Sequence, residues 1–172
     1  MPMTLPLASP AAATGSDIFL HVQTKRAGKV KGEATAPDHQ NDIVIAGWNW
    51  GLSAGSALGS GKATARRSYK HLTVFKAIDS ASTALMSALA TNDEIKEARL
   101  AMRKAGDEQV DYFSITLGGA RVTALDLTVD ENGTPRERVE FAFTKVEVEY
   151  RRQEGGGQAG ASSSFQDDYL PA

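Results

Sequence analysis

Residues 139–150 read Val139-Glu140-Phe141-Ala142-Phe143-Thr144-Lys145-Val146-Glu147-Val148-Glu149-Tyr150. Val139, Phe141 and Phe143 share one parity; Val146, Val148 and Tyr150 share the other. An extended chain points successive side chains to opposite faces, so a period of two marks strand rather than helix. The parity changes near Thr144-Lys145, and a one-residue slip turns the whole apolar set over. A β-bulge, or a strand that changes its buried face, is predicted there.

The same period recurs on either side of this stretch. Ile18, Leu20 and Val22 alternate with Phe19, His21 and Gln23; Phe113, Ile115 and Leu117 alternate with Ser114 and Thr116; Leu125, Leu127 and Val129 alternate with Asp126 and Thr128. Asn132-Gly133, followed by Thr134-Pro135, is a turn signal between two strands. Arg66 to Lys76 is β-branched and aromatic with charged ends and reads as one further strand. Ile43 to Trp50 is apolar on both parities, which predicts cover on both faces. One segment has helical spacing: Asp79 or Ser80 can cap it, Ala81, Leu85, Ala88 and Leu89 follow, and Thr91-Asn92 ends it. Glu94 to Ala105 is helical by propensity but alternates at Ala98, Leu100 and Met102, so local pattern leaves both assignments open. Many strands and one helix predict a small barrel or sandwich with the helix outside.

The chain has 172 residues, enough for one domain with a sizeable core. Its 19 basic and 21 acidic residues nearly cancel, which argues against a generally basic nucleic-acid binder. Cysteine is absent, which excludes disulfides, thiolate metal sites and a cysteine nucleophile. No apolar stretch has the length of a membrane-spanning helix, so no membrane insertion is expected. Residues 1–16 lack Lys and Arg, and Pro2, Pro6 and Pro10 interrupt their apolar character; they read as a flexible leader rather than a cleaved secretory signal. Residues 153–172 are rich in Gly, Ser and Asp and read as a flexible tail, in which Phe165, Tyr169 and Leu170 are the side chains able to dock on a neighbour. The folded body is therefore expected over residues 17–152.

Motifs that resemble chemistry fail on context. Gly55 to Thr64, GSALGSGKAT, has the wrong spacing for a phosphate loop, and Ala63 stands where a hydroxyl must reach the metal. A strand pattern follows it, not the helix whose N-terminus would hold phosphate. Gly155, Gly157 and Gly160 match a dinucleotide fingerprint, but no helix and second strand follow. Asn132-Gly133-Thr134 matches a glycosylation acceptor that its turn role already explains. His21, His39 and His71 are the three histidines, and none is paired at helical ligand spacing. His39 beside Asp38 reads as a structural hydrogen bond. Arg66, Arg67, Lys70, His71 and Lys76, with Tyr69 and Phe75 between them, form the one basic stretch, read as solvated strand ends or charges that cross subunits. No nucleophile, base and orienting group assemble into an enzyme site, and no cofactor or metal is expected.

Several blocks, in order, fit one pattern. They are Val30-Lys31-Gly32-Glu33; His39; Ile43 to Leu52 with Gly47-Trp48-Asn49-Trp50-Gly51; and Leu72 to Ser82 running into Leu85. Ala98 to Gly106, Tyr112 to Leu117, and Val139 to Tyr150 complete it. Together these resemble the haemolysin-coregulated protein (Hcp) family, the tube protein of bacterial type VI secretion systems. The resemblance spans about residues 17–152. It implies a small β-barrel of two packed antiparallel sheets with one α-helix on the outside, and it makes Glu94 to Ala105 a strand. It implies a homohexameric ring whose copies stack into a tube, with spike, sheath and effector proteins as partners. It also implies assembly in the bacterial cytoplasm, export by the type VI system without a cleaved signal peptide, and no catalysis. The proline-rich leader and the Ser/Gly-rich tail depart from the pattern. The alternatives are a phage-like contractile tail-tube protein and a monomeric β-barrel that binds a small ligand inside.

A closed ring needs two unlike, complementary surfaces on each copy. Trp48 and Trp50 share one face, so Asn49 points the other way and is the candidate for channel wall or subunit contact. The Gly/Ser loop with Ser56, Leu58 and Lys62 is the candidate bridge to the next subunit or ring.

Overall fold

The computed structural model describes residues 16–55, 66–104, 110–153 and 159–169. The elements in chain order are β1 (Ser16–Thr24), β2 (Gly28–Lys29), β3 (Ile43–Ile45), β4 (Gly47–Asn49), β5 (Leu52–Gly55), β6 (Arg66–Tyr69), β7 (Leu72–Lys76), α1 (Ser82–Ala90), β8 (Ile95–Lys104), β9 (Asp111–Val129), β10 (Pro135–Ala142), β11 (Lys145–Gln153) and β12 (Ala159–Asp168). The ambiguous segment after the helix is strand β8. The leader lies outside the described residues except for Ser16.

The long strand β9 organises the fold. Its first half pairs with β8 and β11, and its second half pairs with β10. Between the halves, Gly119 has φ +53, and a Cβ there would stand 2.2 Å from Thr144 Oγ1. Only glycine takes that backbone angle freely and leaves room for the threonine. The chain changes layer opposite this point. β10 ends at Ala142, β11 begins at Lys145, and the Thr144 amide donates to the Gly118 carbonyl at 3.2 Å. The parity switch in residues 139–150 is thus a change of sheet at a break, not a bulge within one strand.

Two layers result. One holds β2, β1, β8, the first half of β9, β11 and β12; the other holds the second half of β9, β10, β7 and β4. Inward side chains of both layers form one core that includes Leu20, Val22, Leu72, Val74, Leu100, Ile115, Leu117, Val139 and Phe141. Helix α1 packs on β9 and adds Leu85 and Ala88 to that core, while Thr83, Ser87 and Ala90 stay exposed. Two packed sheets with an outer helix are as expected. The closed barrel is not: the path of paired strands ends at β2 and at β4. The segment read as one strand, Ile43 to Trp50, breaks at Ala46. Its first part pairs with β1 and its second with β7, so it pins one layer to the other instead of closing a cylinder. Its outward face is uncovered within the chain, with Val44 51 % exposed.

Two further expectations are corrected. Arg66 to Lys76 is two strands: β7 pairs with β4 and β10 and β6 with β5, with a one-residue slip between the β4–β7 and β5–β6 registers where Lys70 N bonds Gly51 O at 2.9 Å. The flexible tail over 153–172 is replaced, over Ala159–Asp168, by strand β12 paired along β11. Backbone pairing in register gives a Ser-rich segment the order that its side chains alone cannot supply.

Candidate functional site

The hairpin β5–β6 stands apart from both layers. Leu52 to Gly55 and Arg66 to Ser68 are all exposed, and among the described residues the two strands pair only with each other. Isolated two-stranded hairpins are marginal in water, so this one depends on what holds its base. The base is aromatic. Trp50 stacks on Tyr69 with ring centroids 5.9 Å apart, and Phe143 and Tyr169 meet Tyr69 edge-on at 5.8 and 4.9 Å. The Trp50 indole nitrogen is buried without a hydrogen-bond partner, so that ring is held by packing.

A polar clasp sits beside these rings. Arg67 Nε donates to Asp167 Oδ2 at 2.5 Å and its Nη2 to Asp167 Oδ1 at 3.2 Å. Nη2 also reaches the Asp168 carbonyl at 3.3 Å, and the Tyr69 hydroxyl donates to Asp167 Oδ2 at 2.5 Å. Two parallel bonds from one guanidinium to one carboxylate fix direction as well as distance. The hydrogen bonds from Arg67 and then Tyr69 hold the Asp167 carboxyl below the usual carboxylate range. Burial first, and then the bond to Asp167, push the Tyr69 phenol up. The terminal strand therefore grips the hairpin through a residue that the sequence reading placed in a flexible tail.

Of the sequence-predicted site residues, Asn49 is exposed on β4, across from Thr73 of β7, while Trp48 and Trp50 pack toward the core. β4 ends the strand path, so Asn49 lies on a sheet edge. Ser56, Leu58 and Lys62 lie outside the described residues, on the connection between β5 and β6.

The remaining polar clusters are structural. His39 stacks on Phe19 at 4.5 Å, and its ring nitrogens meet Asp42 Oδ2 at 3.0 Å and Asp111 Oδ1 at 2.8 Å; Asp38 is not its partner. Burial pushes the Asp42 carboxyl up, but hydrogen bonds from Lys29, His39 and His21 and the Lys29 charge outweigh it and leave it below its ordinary value. Among the described residues no group of three or more such side chains is placed to hold a metal. The basic stretch does not form one face. Arg67 is in the clasp, His71 lies 3.9 Å from Glu140, and Lys76 is fully buried. Lys76 Nζ meets Glu137 Oε2 at 2.5 Å, Asp79 Oδ1 at 2.8 Å and Ser82 Oγ at 3.0 Å, tying the start of α1 to β7 and β10. Sequence reasoning missed this network, although Lys76 shares its parity with Leu72 and Val74, and Glu137 with Val139 and Phe141.

Residues 19–150 match the family described as "Type VI secretion system effector, Hcp". The chain is similar to Protein hcp1 of Pseudomonas aeruginosa, with 32 % identity over 146 residues, 82 % of this chain and 86 % of that protein. It superposes on the crystal structure of Hcp1 from Salmonella typhimurium with a TM-score of 0.73 at 27 % identity, covering 90 % of this chain and 95 % of that one. A type VI secretion system effector from Yersinia pestis gives a TM-score of 0.68 at 25 % identity, covering 88 % of this chain and 99 % of the other.

Proposed function

This chain belongs to the Hcp family of type VI secretion system proteins, and from that premise we propose that six copies close into a ring, that rings stack into the inner tube, and that the tube carries effectors and is itself exported. The observation that carries this reading is the family match over residues 19–150, which spans nearly the whole sandwich. The surface supports it physically. Val44, Phe75, Leu127 and Val129 are large apolar side chains at least 39 % exposed in the single chain, on elements of the second layer and its seam with the first. Among the described residues β4 pairs only with β7 and β12 only with β11, which gives two unlike edges, as a head-to-tail ring contact requires.

In this reading the protein is a structural subunit and not an enzyme. It assembles in the bacterial cytoplasm and leaves with the type VI machinery, without a cleaved signal peptide. Its partners are further copies of itself and the spike, sheath and effector proteins. Asn49 lies at a subunit contact or on the channel wall. Ser56, Leu58 and Lys62 reach the next subunit or ring from the hairpin. The runner-up, a monomeric barrel that binds a small ligand inside, would have to keep open an interior in which the inward side chains of both layers pack as one core.

Size-exclusion chromatography with light scattering, followed by negative-stain microscopy, tests the proposal. A species near six times the 18.3 kDa chain mass, seen as rings, is expected. A strict monomer at high concentration overturns it. Deleting the loop between β5 and β6 is expected to spare rings and remove stacking; unchanged stacking would dismiss the bridging role.

A further inference from the structure

We propose that Asp167 is a positioning residue: through Arg67 and Tyr69 it fixes the direction of the β5–β6 hairpin, so the terminal strand β12 sets how the hairpin is presented to the next copy. The inference rests on the tube reading for what the hairpin touches, but not for the clasp itself. Three observations carry it. The hairpin joins the β4–β7 pair only at its base, through a one-residue slip in register and the single Lys70 N to Gly51 O bond, so the sheet anchors that base and, among the described residues, no ladder holds the strands beyond it. Asp167 takes two bonds from Arg67 and one from Tyr69, so both the exposed strand and its aromatic base are tied to one carboxylate. β12 is itself fixed, paired from Lys145↔Asp168 back to Gln153↔Ala159, and the Tyr169 amide continues the contact to the Thr144 carbonyl at 2.6 Å.

The chain of contacts is therefore rigid as far as β12 and loose beyond the clasp. Aromatic packing at Trp50 and Tyr69 holds the base of the hairpin but leaves it free to swing about that base. A bidentate pair placed farther out along β6 removes the swing. A hairpin that bridges copies must be held in one direction before contact, because ordering it at the moment of contact costs binding free energy.

The absence of cysteine allows a direct measurement. Spin labels on Ala54→Cys, in the hairpin, and Ser162→Cys, on β12, report one distance distribution in protein diluted with unlabelled chain. Asp167→Asn is expected to broaden it, raising the swung-out fraction about two- to fivefold, the range set by one exposed ion pair. The swap of Arg67→Asp with Asp167→Arg is expected to narrow it again, whereas each reversal alone leaves it broad. Hydrogen exchange at the β12 amides separates this outcome from loss of the strand, because these amides stay protected if only the clasp opens. A narrow, unchanged distribution in Asp167→Asn overturns the proposal, as does a broadening that comes only with loss of β12 protection. Stacking is scored separately by microscopy. If the hairpin loosens and stacks persist, the clasp stands and the bridging role of the hairpin fails; if both change, both stand.

Discussion

Two of the ionic knots that fasten one element to another lie in opposite surroundings. At one, Lys76, Glu137, Asp79 and Ser82 join the start of α1 to β7 and β10, with the Lys76 and Glu137 side chains wholly out of water. At the other, Arg67, Tyr69 and Asp167 join the hairpin to β12, with the Arg67 side chain 56 % exposed. The chemistry is alike, a cation on a carboxylate with a hydroxyl beside it. The environment decides what each is for. Desolvated charges are costly unless every one is matched, so the buried knot holds the fold by making its own disruption expensive. Solvated charges contribute little to stability and act through direction instead.

The largest expected effect is at the buried knot. Lys76→Met leaves two carboxylates facing each other without a cation, and Glu137→Leu leaves the ammonium without its nearest partner. Each is expected to lower the unfolding free energy by about 3–5 kcal/mol, read from the denaturant midpoint. Glu137 Oε1 is buried without a hydrogen-bond partner, so the wild-type knot is itself incompletely satisfied. The double variant is therefore expected to be more stable than either single one. Single variants that lose under about 1 kcal/mol would erase the distinction between the two knots.

Next is the hinge that allows two layers to exist. Gly119→Ala must adopt φ +53 and place a methyl 2.2 Å from Thr144 Oγ1. A cost of about 1–3 kcal/mol is expected from strain, with partial recovery in Gly119→Ala/Thr144→Ala, measured by thermal unfolding. If the alanine variant unfolds at the wild-type temperature, β9 does not need its glycine to pass from one sheet to the other.

These regions also differ in how far the sequence displayed them. Alternation exposed most of the sandwich because buried faces must be apolar in step with the pleat. It also placed Lys76 and Glu137 on core-facing positions, a signal that charged residues there have partners. It failed where order comes from backbone pairing. The side chains of β12 are mostly exposed, so Ala159–Asp168 carries no apolar pattern, and its composition reads as tail. It failed equally on Arg67–Asp167, whose partners are 100 residues apart and sit on the surface. The break at Ala46 was hidden because both halves of Ile43 to Trp50 are apolar while pairing with different layers.

Acid sharpens the comparison further, since carboxylates at two places are held below their ordinary range. Burial opposes ionisation at Asp42, but Lys29, His39 and His21 prevail; at Asp167 the bonds from Arg67 and Tyr69 do so directly. A carboxylate lowered in the folded state contributes stability that is fully present above its unfolded value, near 3.8 in both cases, and is lost as pH falls through the folded value. Asp42 is buried between Lys29 and His39, where water screens it poorly, so Asp42→Asn is expected to lower stability at neutral pH and flatten its decline below about pH 4.

The smallest expected change in stability is at the clasp. Asp167→Asn is expected to leave the acid limb of global unfolding almost where it was, because solvent and salt screen that pair. Its effect belongs in the hairpin's motion, and it should already be partly present in the wild type at about 1 M salt, where exposed pairs are screened beyond roughly 3 Å. A wild-type hairpin distance that broadens with salt while the unfolding midpoint stays put would place the two knots in separate roles, one for folding and one for presentation. A midpoint that falls together with hairpin order would instead make the clasp part of the fold, because loosening it would then loosen the sandwich through β12.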